Sequence, residues 1–349
     1  MSERAKGEAE LDGHDGVFLD LDGTVYTGTE PVAGAAETTG QLRAWGVGMR
    51  YVTNNAASTA AEVAERLCGF GLPAEAGDVH TSADAAGSVL RERLPAGALV
   101  LVLGTESLVA RVRDAGLEPV RAAQPGVDAV VQGHSPDTGW RELAEACLAI
   151  RAGALWVACN ADATLPSERG ELPGNGAMVG ALRTATGAEP VVAGKPHPPL
   201  LTLAARESGC RNPLVVGDRM ETDIAGADAS RMDALLVLSG VTTAARLLAA
   251  GRDERPRYVA ADLTCLTGSI ADLEVRRDNG ARSGWRVEPD DTELRVSSTC
   301  ESSALSLLRE LCARAWDAGV TAVRAEDDRA RVALAELDLP LAASTRGIR

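Results

Sequence analysis

Two aspartates spaced i, i+2, Asp20 and Asp22, lie inside the stretch Phe18-Leu-Asp-Leu-Asp-Gly-Thr-Val-Tyr26. Val17, Phe18 and Leu19 form a short apolar run that reads as a buried strand. Asp and Gly are poor strand formers, so Asp20, Asp22, Gly23 and Thr24 should stand where the strand gives way to a loop. In an open parallel α/β sheet that edge is where ligands bind. Two like charges this close disfavour each other unless a cation lies beside them. Mg²⁺, a hard cation taking oxygen ligands, is the natural candidate. Taken alone, the same residues also read as a strand followed by an Asx-type turn.

Three later segments repeat the pattern of polar groups at a strand's carboxyl end. Val47 to Val52 reads as a strand running into Thr53-Asn54-Asn55, where a hydroxyl and loop amides suit a phosphate oxygen. Pro213–Val216 runs into Gly217-Asp218, with Asp223 five residues on at the entry to a helix. The third segment is Gly194-Lys195-Pro196. Of 35 basic residues only two are lysines, Lys6 and Lys195. A chain that uses Arg almost everywhere keeps a compact ammonium here, and a forked guanidinium is no substitute for one.

Asp20-Leu-Asp22-Gly-Thr, Thr53-Asn-Asn, Gly-Lys195-Pro and Gly-Asp218-x4-Asp223, in that order, resemble the signature of the haloacid dehalogenase superfamily of phosphatases. The Thr-Asn-Asn and Gly-Lys-Pro forms, with a cap between them, are similar to its p-nitrophenylphosphatase-like and glycerol-phosphate or phosphoglycolate phosphatase branch. Ala56-Ala57 departs from the Ser that relatives often carry after the asparagines. The resemblance implies that Asp20 attacks phosphorus and that Asp22 serves as acid, then base. It implies Mg²⁺ held by Asp20, the backbone carbonyl of Asp22 and Asp218. Thr53, Asn54, Asn55 and Lys195 would bind the transferring phosphoryl group, with Gly23, Thr24, Gly217 and Asp223 in support. A phosphate sensor or scaffold on the same fold is the non-enzymatic alternative, but such a protein would be expected to have lost Asp20 or Asp22.

The elements that must position these residues alternate between strand and helix. With the resemblance, they imply a Rossmann-like, doubly wound parallel core over 15–80 and 190–273, with Val191–Ala193 resuming its sheet. An α/β cap is inserted at 81–189, built on Leu99–Leu103, Ala129–Val131 and Leu155–Ala158. Residues 274–349 read as a small α+β module with a hairpin of Leu273–Arg277 and Trp285–Val287 about Asp278-Asn279-Gly280. An amphipathic helix follows over Ser302–Ala318. This tail distantly resembles part of an N-acetyltransferase-like fold, yet Arg277-x-x-Gly280-x-Arg282 fails to reproduce that fold's pyrophosphate loop, so an interaction or regulatory role is expected.

Composition bounds the partners. With 349 residues the chain should form two or three domains. A net charge of −15 disfavours nucleic acid and anionic membrane surfaces. No apolar run approaches the roughly 20 residues that span a bilayer. Residues 1–14 are polar and expected to lack structure, without the look of a signal peptide. Seven scattered cysteines suggest reduced thiols in a cytoplasmic protein, and a homo-oligomer is compatible with the sequence. The expected partner is a small phosphorylated metabolite.

The stretch Asn160 to Gly176 reads as a long irregular cap loop that meets the leaving group. It contains no aromatic face for a pyridoxal or nucleotide ring. Asn160, Asp162, Ser167, Glu168 and Arg169 offer polar groups suited to a polyol, with Asp162 and Arg169 the main candidates for substrate contact. Glycerol 3-phosphate is therefore the expected substrate, ahead of phosphoglycolate, pyridoxal 5′-phosphate and nucleoside monophosphates.

Overall fold

The computed structural model describes residues 11–167, 169–276 and 284–340. The chain divides into two compact units, residues 1–47 with 212–349 and residues 48–211.

The first unit is built on four parallel strands. Gly16–Leu19 pairs with Pro213–Gly217, which pairs with Asp233–Val237, which pairs with Tyr258–Ala260. Val17, Phe18, Leu19, Leu214, Val215 and Val216 are buried, as expected of parallel strands covered on both faces. Residues 11–14, expected to lack structure, are packed onto this unit. Leu11 and His14 are buried, and His14 Nδ1 lies 3.2 Å from the Asn212 carbonyl oxygen. The Tyr258 hydroxyl donates to the Asp12 carboxylate at 2.8 Å.

The C-terminal module belongs to this unit. Its hairpin is not the expected one. Trp285–Pro289 pairs antiparallel with Leu294–Ser298, and the turn is made by Asp290, whose carboxylate accepts from the backbone of Thr292 and Glu293. Asp-x-Thr offers a turn with its own internal hydrogen bonds, which the Asp-Asn-Gly reading overlooked. Ile270–Leu273 is a short 3-10 segment, and Glu274 bridges Tyr258 at the edge of the core sheet. The proposed turn residues 278–280 lie outside the described residues. Val323–Ala325 adds a parallel third strand.

The helix Ala304–Ala318 covers this small sheet with Leu307, Leu308 and Leu311, and packs against Ala244–Leu248 and Tyr258–Ala260 as well. Two polar bonds pin it there. Arg309 donates to the Val259 carbonyl at 2.8 Å, and Trp316 Nε1 donates to the Leu247 carbonyl at 3.1 Å.

The second unit contains a parallel pair, Gly48–Thr53 with Val79–Thr81, and a five-stranded parallel sheet. The order in that sheet is Val191–Val192, Leu155–Ala158, Val127–Gln132, Leu99–Leu103, Glu118–Val120. The helices Trp140–Arg151 and Asn175–Thr186 cover it through a core of Leu101, Val130, Ile150, Trp156, Val179 and Leu182. Gln132 is tolerated in a central strand because its Oε1 accepts from Trp156 Nε1 at 3.1 Å.

Two expectations need correction here. Val191–Val192 does not resume the sheet of the first unit, because it pairs with Leu155–Ala158. A two-residue strand is too short for its composition to choose a sheet, so tertiary pairing decides. Asn160 to Gly176 is not an irregular loop either. Thr164–Ser167 and Gly170–Pro173 form an antiparallel hairpin, closed by the Ser167 hydroxyl donating to the Gly170 carbonyl at 2.7 Å. The two prolines disguised it, since both sit in a two-stranded ribbon where each strand is an edge.

The anchoring of Ala304–Ala318 carries a stability prediction. Ending the chain after Arg276 uncovers the face against which that helix packs, a loss of about 3 kcal/mol of apolar burial. The melting temperature should fall by roughly 6–12 °C, and calorimetry on the truncated and full chains measures it. An unchanged midpoint would mean that the contact contributes nothing.

Candidate active site

In the first unit, parallel pairing in register sets Leu19 beside Val216. Asp20 follows the end of its strand and Asp218 follows Gly217, so the two carboxylates emerge from neighbouring strand ends. Asp20 is fixed by its own N–H donating to the Val216 carbonyl at 2.8 Å. Asp223 is brought back by a π turn over Met220–Ile224, where its Oδ2 accepts from the Arg219 N–H at 3.1 Å. Carboxylate oxygens of Asp20, Asp218 and Asp223 all lie within 4.8 Å of one another. Among the described residues this is the one group of acidic, His or Cys side chains so arranged.

Asp218 is fully buried, Asp223 nearly so, and Asp20 half-buried. Burial of several like charges is costly without a counter-charge. All-oxygen donors of this kind fit a hard divalent cation such as Mg²⁺ or Ca²⁺. Asp20 and Asp218 can therefore hold a metal, as can Asp223, which the sequence cast as a supporting residue. The Asp22 carboxylate stands outside this cluster, with its Oδ1 3.5 Å from the Gly28 N–H.

The surrounding loops are shaped around Asp218. Its Oδ2 accepts from the Val241 N–H at 2.8 Å, and the buried Thr24 hydroxyl lies 3.5 Å from Oδ1. Gly23 has φ +88°, and a Cβ there would lie 2.4 Å from Asp218 Oδ2. A Cβ on Gly240 would lie 2.0 Å from the same atom, and one on Gly217 would lie 2.3 Å from Asp223 Cγ. The Ser239 hydroxyl donates to the Gly23 carbonyl at 2.8 Å, joining the two loops. Sequence reasoning missed Ser239, Gly240 and Val241. The signal for Ser239 and Gly240 was available, since they follow the strand Asp233–Val237 as a polar residue and a glycine at a carboxyl end, whereas Val241 acts through its backbone N–H.

In the second unit the cationic and hydroxyl groups gather in the same manner. Lys195 is only 3% exposed, and its Nζ donates to the Val52 carbonyl at 3.1 Å. Its backbone is clasped by Asn54, whose Oδ1 accepts from the Lys195 N–H at 2.8 Å and whose Nδ2 donates to the Lys195 carbonyl at 2.9 Å. The Lys195–Pro196 peptide bond is cis. Thr53, at the end of its strand, accepts from the Asn55 N–H at 3.1 Å. The exposed Asn55 side chain accepts from the Ala57 N–H at 2.8 Å and thus shapes the loop.

Asp162 joins this group, for Asn54 Nδ2 also donates to its two carboxylate oxygens at 3.1 and 3.3 Å. Arg169 lies apart from them, exposed in the turn at the tip of the hairpin. Asn160 is buried, with its amide donating to the Asn54 carbonyl at 2.7 Å, so it serves the interior rather than a ligand.

Comparison with known proteins decides the family. Residues 17–118 match the family model of the haloacid dehalogenase-like hydrolases, and residues 192–266 match a second model of HAD-hydrolase-like domains. The chain is 44% identical over 335 residues to a D-glycerol 3-phosphate phosphatase of Mycobacterium tuberculosis, covering 92% of this chain and 93% of that protein. The chain belongs to the haloacid dehalogenase-like hydrolases. The crystal structure of a glycerol phosphate phosphatase from Mycobacterium tuberculosis in complex with magnesium superimposes on this hydrolase with a TM-score of 0.90 at 45% identity. That match covers 95% of this chain and 99% of the other. A 5′-nucleotidase of Bacillus subtilis is 37% identical over 229 residues, 65% of this hydrolase and 88% of its own length. Residues 282–339 match a GCN5-related N-acetyltransferase-like domain, in keeping with the resemblance of the tail.

Two substitutions probe these residues, one in each unit. Gly240→Ala drives a methyl group into the Asp218 carboxylate and should abolish the rise in melting temperature that added Mg²⁺ gives the native hydrolase. Retention of the full Mg²⁺-dependent shift would show that Asp218 takes no part in metal binding. Lys195→Arg forces a larger fork into a site with room for an ammonium, so kcat/KM should fall at least about a hundredfold. Steady-state assays measure it, and equal activity would remove the argument from lysine.

Proposed function

We propose that this hydrolase is a Mg²⁺-dependent phosphomonoesterase whose substrate is glycerol 3-phosphate. The observation that carries the chemistry is the cluster of Asp20, Asp218 and Asp223 at neighbouring strand ends. Substrate choice is supported by the relative of 44% identity and by an Asn160–Gly176 segment without an aromatic residue. The half-buried Asp162 carboxylate, oriented by Asn54, suits the hydroxyl groups of a polyol. Seven free thiols accord with a cytoplasmic location, and among the described residues no helix is long and apolar enough to cross a membrane.

Asp20, the Asp22 carbonyl and Asp218 would hold Mg²⁺, which would supply positive charge to balance these carboxylates and the phosphate dianion. An oxygen of Asp20 attacks phosphorus as the bond from phosphorus to the glycerol oxygen breaks. Asp22 gives its proton to that departing oxygen, so glycerol leaves neutral. Water then attacks the phosphorus of the aspartyl phosphate while Asp22 takes the water's proton. Inorganic phosphate leaves, and both aspartates return to their starting states. Thr53, the amides after it and Lys195 hold the equatorial oxygens, on which charge gathers during transfer.

The deciding experiment is steady-state kinetics with saturating Mg²⁺ on glycerol 3-phosphate, phosphoglycolate, pyridoxal 5′-phosphate and a nucleoside monophosphate. Glycerol 3-phosphate should have the highest kcat/KM, by about tenfold or more. EDTA or Asp20→Asn should abolish turnover of every substrate while leaving the protein folded. A preference for pyridoxal phosphate or the nucleotide would overturn the substrate, and turnover by Asp20→Asn would overturn the mechanism.

A further inference from the structure

Three buried or half-buried asparagines form a continuous chain of hydrogen bonds through the second unit. Asn175, 2% exposed at the first turn of its helix, donates from Nδ2 to the Asn160 carbonyl at 2.7 Å. Asn160 donates from its own Nδ2 to the Asn54 carbonyl at 2.7 Å. Asn54 in turn clasps the Lys195 backbone in both directions and donates to Asp162. The Ser82 hydroxyl donates to the same Asn54 carbonyl at 2.6 Å, so that oxygen has two donors.

The chain ends at the base of the hairpin. The Gly176 N–H donates to the Asp162 carbonyl at 2.8 Å, and the Asp162 N–H lies 3.3 Å from Asn160 Oδ1. A Cβ on Gly176 would stand 2.1 Å from the Ala161 carbonyl oxygen, which leaves the two arms no slack. The three asparagines are uncharged amides with their donor and acceptor positions fixed, and the one charged group they hold is Asp162. Such a network holds groups at set distances.

We propose that Asn175 and Asn160 are positioning residues that lock the hairpin base, and with it Asp162, to the backbone of Lys195. On the glycerol 3-phosphate reading, on which this rests, the phosphoryl end is bound at Lys195 and the polyol end at Asp162. The relay fixes the distance between the two, acting as a ruler for leaving-group length. Lys195 is held by Asn54 directly, so loosening the far end of the relay leaves phosphoryl binding largely in place.

The test compares glycerol 3-phosphate with p-nitrophenyl phosphate, whose leaving group has no hydroxyl for Asp162. Asn175→Ala should raise KM for glycerol 3-phosphate about tenfold with a smaller change in kcat, and p-nitrophenyl phosphate should suffer a much smaller loss. In an Asp162→Ala background the further effect of Asn175→Ala on glycerol 3-phosphate should vanish, because the relay acts through Asp162. Hydrogen exchange supplies a readout independent of substrate. Asn175→Ala should speed exchange at Asp162, Gly174 and Gly176 and at the Lys195 amide, while the strand Leu99–Leu103 keeps its protection. Equal losses on both substrates, or faster exchange confined to Asn175 and its neighbours, would overturn the relay. An Asp162→Ala variant with unchanged selectivity but the expected exchange pattern would overturn the polyol contact and the ruler while leaving the mechanical link standing.

Discussion

Three carboxylates held within 4.8 Å, two of them buried, impose the constraint on which the rest of the first unit depends. Each pair repels by on the order of 3 kcal/mol at an effective dielectric of about 20. Such a group forms only if the backbone overrides the repulsion, and here it does so by parallel pairing. The register of Gly16–Leu19 on Pro213–Gly217 fixes where Asp20 and Asp218 emerge, and two glycines, Gly23 and Gly240, let their loops close on Asp218. A fold that merely tolerated these residues would have spread them apart.

The second unit solves a complementary problem. A lysine 3% exposed must keep its ammonium hydrogen-bonded, and the Val52 carbonyl at a strand end accepts from it. Its backbone is fixed by the Asn54 side-chain amide, which bonds both its N–H and its carbonyl. The asparagines thus perform for the cationic half of the chemistry what glycines perform for the anionic half. They bring groups close and add no charge.

The acetyltransferase-like tail has become part of the first unit by packing rather than by chemistry. Its long helix lies against Ala244–Leu248 and Tyr258–Ala260, with Arg309 and Trp316 bonded to backbone carbonyls of that unit. The Arg255 guanidinium stacks over the Trp316 ring at 5.5 Å from its centroid, adding a cation–π contact.

Much of the site was legible in the chain because its residues obey local rules. Strand ends carry polar groups, so Asp20, Thr53 and Asp218 stood out from apolar runs, and a single lysine outside the first residues marked Lys195. The parallel class followed from alternation of strand and helix. Other features have no local signature. Val191–Val192 could have joined either sheet, and only its pairing with Leu155–Ala158 chose one. The hairpin hid behind two prolines, since edge strands tolerate a residue that a central strand rejects. Asn175 looks ordinary in sequence, and its importance comes from an asparagine 15 residues away along the chain. Sequence determines which groups are available and which strand ends present them; close approach between distant segments is a property of packing, and only the tertiary structure decides it.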